Sequence, residues 1–339
     1  MTPSTPMRRR RFIGIAAAAC GLPLLPLRPR AAAATPLLRV WRGAALGADA
    51  TIQVHHPDPA AADRLIAQAL LEVRRLEGVM NLYDPASALS RLNRDGVLAE
   101  PPLDLVRVLG EAARFHAITG GDFDVTVQPL WDLYAAHFAR PGADPDGPSA
   151  ADIAAAAGRV GQDALEVTPA RIRLARPGMG VTLNGIGQGY ATDRVVDLLR
   201  AGGVEHALVD MGEQHALGGH PAGGPWRVGI ENPDAPGQVT ELVPLADRAM
   251  STSGGYGTQF DPAGRFNHIF EPSDGRTSWR YRAVTVIAAT ATETDALSTA
   301  FTLMPLERVR ALVRARGLAA HIALADGGRL VFAGQGGVA

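Results

Sequence analysis

Asp295 and Thr299 stand four residues apart in Thr294-Asp295-Ala296-Leu297-Ser298-Thr299-Ala300. On a helix that spacing puts both side-chain oxygens on one face. A carboxylate and a hydroxyl are hard ligands, the kind Mg²⁺ takes when waters and substrate phosphates complete its octahedron. The segment also reads as a capping box, Thr292-x-x-Asp295, in which the carboxylate only satisfies backbone donors. A second stretch is Val181-Thr182-Leu183-Asn184-Gly185-Ile186-Gly187-Gln188-Gly189-Tyr190-Ala191. It reads as a short β-type run, three spaced glycines, and an amphipathic helix from Tyr190 carrying Val195, Val196, Leu198 and Leu199. Strand, glycine loop and helix start together bring backbone N–H groups close to a phosphate. A plain tight turn would use the same glycines, and the dinucleotide spacing G-x-G-x-x-G is absent.

Three further segments carry usable chemistry. In Gly121-Asp122-Phe123-Asp124-Val125-Thr126 an aromatic between two carboxylates could stack on a planar ligand while Asp124 accepts hydrogen bonds; an Asx-turn at a helix start fits equally. Met250-Ser251-Thr252-Ser253-Gly254-Gly255-Tyr256 reads as a hydroxyl-rich loop suited to phosphate or ribose, or as an ordinary Ser/Gly loop. In Asn267-His268-Ile269-Phe270-Glu271-Pro272 a lone histidine ends a strand-like stretch beside a turn, in a ligand-binding or a structural role.

The elements that must position these residues follow from periodicity. Ala60 to Met80 has apolar residues at helical spacing, and Leu103 to Thr119 forms another helix ending at Gly120-Gly121. Shorter helices are predicted over Ser87 to Asn93, Ala150 to Gly158, Thr292 to Met304 and Leu306 to Arg316. Strands are predicted around Leu46 to Val54, Ala207 to Met211, Trp226 to Ile230, Val284 to Ala288 and Leu330 to Ala333, with a hairpin from Leu165 to Leu174. Pro141 to Ser149 is a surface loop and a lobe boundary. Strands and helices mix without strict βαβ alternation, which predicts an α+β fold.

Composition excludes several chemistries. The 339 residues contain no lysine, so all 33 basic side chains are arginine, and a P-loop, Schiff-base or general-base lysine is ruled out. Six arginines fall in residues 1–34, leaving 27 basic against 34 acidic residues, a net −7 that argues against nucleic-acid binding. The segment 1–34 reads as an export signal: Arg8 to Arg11, an apolar run from Phe12 to Leu27, then Ala31 to Ala34. Arg9-Arg10-Arg11-Phe12-Ile13 resembles a twin-arginine signal, with a general secretory signal as the alternative. Cleavage near Ala34 gives a periplasmic protein of residues 35–339 without cysteine. A lipid anchor at Cys20 is the competing reading, and it lacks a leucine at Ala17.

Taken together and in order, these segments resemble the FAD:protein FMN transferase family, the ApbE-like flavin transferases, from about Gly47 to Met304. The resemblance rests on Leu82-Tyr83 with Ser90-x-x-Asn93, on Phe123-Asp124-Val125-Thr126-Val127-x-Pro129-Leu130, and on Gly185-Ile186-x-x-Gly189-Tyr190-Ala191-x-Asp193. It continues through Thr252-Ser253-Gly254, His268-Ile269 with Pro272 and Gly275, and Ala283-Val284-Thr285-Val286 ahead of Asp295-Ala296-Leu297-Ser298-Thr299-Ala300. The resemblance implies a two-lobed α+β fold around a cofactor cleft, and an enzyme that moves FMN from FAD to a Ser or Thr hydroxyl and releases AMP. It implies Mg²⁺ at Asp295, Ser298, Thr299 and the Gly185 backbone. It implies FAD contacts at Tyr83, Asp122, Phe123, Asp124, Thr182, Gln188, Ser253 and Ile269, with His268 beside the phosphates or the incoming hydroxyl and Asp295 as the second catalytic position. The implied partner is a periplasmic or membrane-bound flavoprotein carrying an Asp-Gly-x-Ser/Thr-Gly-Ala-Thr-like segment. The chain itself would meet a membrane only through its export signal or its target.

The sequence departs from the family pattern at Thr182, where Asp is usual, and at Gln188, where Lys is frequent. Glu271 replaces the Asp before proline, and Gly212-Glu213-Gln214 shortens a Gly-Gly-Asp/Glu motif. The Leu-Asn-Gly-Ile-x-Gln-Gly-Tyr variant, with the twin-arginine segment, resembles the branch linked to nitrous-oxide reductase maturation. Thr182 and Gln188 keep open a non-catalytic flavin-binding or assembly role. An Mg²⁺-dependent FAD pyrophosphatase, with water replacing the target hydroxyl, is a further alternative.

Overall fold

The segments with the cleanest helical spacing fold as helices, with caps readable from their flanks. Asp58 accepts the Ala60 amide at 2.8 Å to start the helix Pro59–Met80. The helix Leu103–Thr119 ends at Gly120, whose φ of 66° is the left-handed conformation that glycine adopts without cost. The computed structural model describes residues 36–334, so the export segment and Cys20 lie outside the described residues.

In chain order the elements begin β1 (Leu37–Ala45), β2 (Ala48–His56), α1 (Pro59–Met80), α2 (Ala88–Asp95), β3 (Val97–Ala99), α3 (Leu103–Thr119), α4 (Gln128–Phe138), α5 (Ala150–Ala157), β4 (Leu165–Val167) and β5 (Arg171–Leu174). There follow α6 (Gly187–Ala201), β6 (His206–Asp210), β7 (Gln214–Leu217), β8 (Trp226–Asn232), β9 (Ala235–Leu245) and β10 (Arg248–Ser253). The last are β11 (Ala283–Ala288), α7 (Ala291–Phe301), α8 (Leu306–Arg316), β12 (Ala319–Ala323) and β13 (Arg329–Ala333). The fold is α+β, as predicted.

One eight-stranded sheet, ordered β1-β2-β6-β7-β10-β11-β12-β13, is antiparallel throughout. Its strands bury alternate residues: Ala48, Ala50, Ile52 and Val54 of β2 point into the core. Helices α1 and α6 pack over β2 and β6 through Ile66, Ala69, Val73, Val195, Val196 and Leu199. The β8–β9 hairpin covers the other face of the sheet with Trp226, Val228 and Val243 against Met250 and Ile287. A second lobe gathers α4, α5 and the irregular segment 258–282 around Tyr134, Leu130 and Phe270, with Phe260 and Phe266 packed on them. Tyr134 lies 5.3 Å from Phe270 and 5.9 Å from Phe260, ring centre to ring centre.

Three local expectations are corrected. Val181 to Leu183 is extended but is not a strand; its backbone is tied by the Asn93 amide to Val181 and by Val125 to Thr182. Helix α6 begins at Gly187, not Tyr190, so Gly187 and Gly189 belong to its first turn. Residues 250–253 are strand β10 rather than a loop. The hydroxyls that disguise this strand each have a cross-element partner: Ser251 with Thr294 at 2.6 Å and Thr252 with Thr285 at 2.8 Å.

Candidate active site

Helices α6 and α7 cross at Gly189. A Cβ there would lie 2.2 Å from the carbonyl oxygen of Ala291 and 2.8 Å from the Asp295 Cβ, so the approach requires glycine. The Gly189 amide donates to Asp295 Oδ2 at 2.9 Å. The capping-box reading of Asp295 is thereby corrected: Thr290 caps α7 by accepting from the Glu293 amide, while Thr292 Oγ1 donates to Asp193. Asp295 is almost wholly buried, and its charge meets an amide at the positive end of α6.

Strand alternation turns Ser251 and Ser253 toward α7, the side opposite Met250. Ser253 Oγ lies 2.8 Å from Ser298 Oγ and 3.2 Å from Thr299 Oγ1. Thr299 Oγ1 also lies close to Gly185, where a Cβ would meet it at 3.1 Å. One carboxylate, three hydroxyls and an unobstructed glycine backbone thus converge within one turn of α7. This donor set fits a hard divalent cation such as Mg²⁺, which prefers few protein oxygens and completes its shell with water and phosphate. Among the described residues no cluster of three or more His, Cys, Asp or Glu side chains has metal-binding geometry.

The convergence opens into a cleft of about 820 Å³ of empty space, open solvent included. Asp122, Phe123, Asp124, Thr182, Gly185, Ser253, His268, Ile269, Asp295 and Thr299 line it, at the seam between the main body and the second lobe. Ser298 reaches this group through its bond to Ser253. Tyr83 lines a neighbouring cavity with Ser90 and Asn93; Trp131 and Asn184 line both. Gln188 lines neither and packs on Gly212, where a Cβ would meet its amide at 2.6 Å.

The supporting contacts explain the motif residues that do not line the cleft. Ser90 Oγ donates to the Asn81 carbonyl and so holds the turn that carries Tyr83. Asn93 pairs with the Val181 backbone like a strand partner. Tyr190 donates to Asp104 at 2.6 Å, anchoring α6 to α3. Phe123 is buried, edge-on to Phe115, with its amide donating to Thr119 Oγ1. Asp124 forms the Asx-turn: one oxygen accepts the Thr126 amide at 2.7 Å and its hydroxyl, and the other accepts the Gln162 amide. Asp122 pairs with Arg308 at 2.7 Å; burial nevertheless pushes its carboxyl above the usual range, with Arg308 pulling it down. Burial also raises the carboxyl of Glu271. His268 meets the Thr258 carbonyl through Nδ1 at 3.1 Å.

Sequence reasoning missed Trp131, Asn184 and Glu213 as cleft residues. Asn184 sits inside the glycine motif. Trp131 follows Pro129-Leu130, where helical periodicity gives no hint that one side chain leaves the core. Glu213 is buried at the cleft wall after Gly212, whose φ of 99° turns the chain.

The family model of the ApbE family matches residues 46–322. A protein from Salmonella typhimurium named FAD:protein FMN transferase is 30% identical over 314 residues, covering 88% of each chain. One of the same name from Vibrio cholerae is 33% identical over 268 residues, covering 76% of this chain and 79% of its own. Among solved structures, the apo flavinyl transferase ApbE of Pseudomonas stutzeri superimposes with a TM-score of 0.73 at 29% identity, over 88% of this chain and 95% of its own. The ApbE protein of Thermotoga maritima gives 0.77 at 26% identity, over 87% and 97%. With the family match spanning most of its length, on the same fold as those solved structures, this chain belongs to the ApbE family.

Proposed function

We propose that this protein is an exported FAD:protein FMN transferase that joins FMN to a Ser or Thr hydroxyl of a periplasmic or membrane-bound flavoprotein. The observation that carries the reading is the convergence of Asp295, Ser298, Thr299, Ser253 and the Gly185 backbone on one side of the cleft. Asp295, Ser298, Thr299 and Gly185 would hold Mg²⁺, with Ser253 orienting the two α7 hydroxyls. Bound there, Mg²⁺ supplies positive charge against the pyrophosphate.

In the reaction the target hydroxyl oxygen bonds to the FMN phosphorus, the bond to the AMP oxygen breaks, and AMP leaves. His268, on the cleft wall, accepts the hydroxyl proton. Its Nδ1 contact with the Thr258 carbonyl orients the ring on that wall. Phe123 and Ile269 give the cleft an apolar lining that excludes water from the reacting phosphorus. Residues 1–34 direct export by the twin-arginine route. The target segment is Asp-Gly-x-Ser/Thr-Gly-Ala-Thr-like, with a nitrous-oxide reductase maturation regulator as the physiological partner.

The test is chromatographic detection of AMP from FAD with Mg²⁺, with and without an acceptor domain. Transferase action predicts AMP that depends on both acceptor and Mg²⁺. AMP with free FMN in the absence of acceptor would make the protein a pyrophosphatase. FAD binding without AMP would make it a flavin carrier.

A further inference from the structure

We infer that Asp193 is a positioning residue of the metal pocket, fixing α7 and its oxygens in register against α6. The inference rests on the reading above, that Asp295, Ser298 and Thr299 hold a divalent cation. Asp193 lies on α6, one turn beyond Gly189, and does not itself line the cleft. Both its oxygens are doubly used. Oδ1 accepts the Ala291 amide and the His215 Nδ1–H, each at 2.8 Å. Oδ2 accepts the Thr292 amide at 2.8 Å and the Thr292 hydroxyl at 2.6 Å.

Ala291 and Thr292 open α7, so their amides are among the unpaired donors that every helix start leaves. A carboxylate from another helix fills that role here. The arrangement is reciprocal: Asp193 of α6 holds the start of α7, while Asp295 of α7 accepts the Gly189 amide at the start of α6. In both helices the carboxylate and the held amide are four residues apart, one turn. Sliding α7 along α6 by any fraction of a turn breaks the bonds at both ends, and the Gly189 contact leaves no slack between the axes.

The register matters because Ser298 and Thr299 sit on the next turn of α7, and Gly185 lies four residues before Gly189. The distance between the α7 oxygens and the Gly185 backbone is therefore set by this clamp. His215, buried on β7, fixes the Asp193 rotamer by donating to Oδ1. Partners of this kind, one step removed from the ligands, change metal affinity by ~10- to 100-fold when lost.

The test compares Asp193→Asn with Tyr190→Phe in the mature protein. Tyr190→Phe also removes an α6 attachment, the 2.6 Å bond to Asp104 of α3, which is none of the bonds of the clamp. Direct Mn²⁺ binding by electron paramagnetic resonance, the Mg²⁺ concentration giving half-maximal AMP release, and thermal stability are read for each. The expectation for Asp193→Asn is a metal Kd and a half-saturating Mg²⁺ at least ~10-fold higher, with kcat recovered at high Mg²⁺. Tyr190→Phe should lose stability with both metal readings unchanged. Unchanged metal binding in Asp193→Asn, or an equal shift in both variants, overturns the inference. Should Asp193→Asn not fold, Thr292→Val removes only one of the four bonds and should shift Mn²⁺ binding in the same direction; no shift there is equally contrary. Absence of Mn²⁺ binding by the wild-type protein would instead defeat the metal reading itself.

Discussion

The two walls of the cleft are tied to different degrees by long-range bonds. On the wall made by α6, α7 and β10, the polar side chains bond to partners far away in sequence. Ser251 meets Thr294, Ser253 meets Ser298, Asp193 holds Ala291 and Thr292, and Asp295 accepts from Gly189. On the opposite wall, residues 258–272 are tied mostly locally, and residues 121–127 combine local ties with the longer ones of Asp122 to Arg308 and Asp124 to Gln162. Asp124 accepts from Thr126, Asn267 from the Ile269 amide, Asp261 from the Phe266 amide, and His268 meets the carbonyl of Thr258. Long-range ties between regular elements fix oxygens relative to one another, as a small hard cation demands. Local ties fix a loop's shape but leave the loop freer to shift, which suits a wall that must admit a substrate and a protein segment.

Four changes would break or sharpen that contrast. The largest effect is expected from Asp295→Ala, which removes the carboxylate of the proposed metal pocket; Mg²⁺-dependent AMP release should fall by at least ~100-fold. Its circular dichroism should match the wild type, since the Gly189 amide lies in a helix first turn that water can reach when the carboxylate is gone. Gly189→Ala comes next. The added methyl meets the Ala291 carbonyl, a backbone atom, so we expect a loss of about 1–3 kcal/mol in denaturant unfolding together with weaker metal binding.

Beside that second wall, on α4, Trp131→Ala should raise KM for FAD by roughly tenfold, as when an aromatic surface beside a flat ring is removed, and leave the Mg²⁺ requirement unchanged. An equal effect on both would mean that the walls are coupled. The smallest effect concerns Asp122. Its folded pKa is raised by burial, so its contribution to stability is full below the unfolded value of about 3.9 and is lost as pH rises through the folded value. Melting temperatures measured from acid to neutral pH should therefore show Asp122→Asn gaining on the wild type as pH rises. A constant difference would mean that Arg308 fully offsets the burial.

The same contrast explains what the sequence makes legible. Helices α1 and α3 can be read from apolar spacing and their caps, because those signals lie within a few residues of one another. The residues of the glycine motif and of α7 can be singled out as types, but their bonds cannot. Nothing local to Asp193 says that it holds a helix start about a hundred residues away, and Thr292-x-x-Asp295 mimics a capping box, whereas Thr290 caps the helix by accepting the Glu293 amide. Strand β10 is hidden because its hydroxyls find partners on neighbouring elements, so a buried strand reads as a polar loop. Trp131 is hidden for the opposite reason: an apolar side chain in a helix is expected in the core, and only the tertiary arrangement turns it to the cleft.

The most direct test of FMN transfer is an intact-mass measurement on an acceptor. Protein from Thr35 onward would be incubated with FAD, Mg²⁺ and a periplasmic domain carrying an Asp-Gly-x-Ser/Thr-Gly-Ala-Thr segment. The expected result is an acceptor heavier by one FMN, with no gain when magnesium is chelated or when Asp295→Ala replaces the wild type. An acceptor of unchanged mass, under conditions where FAD is bound and several such domains have been tried, would contradict it.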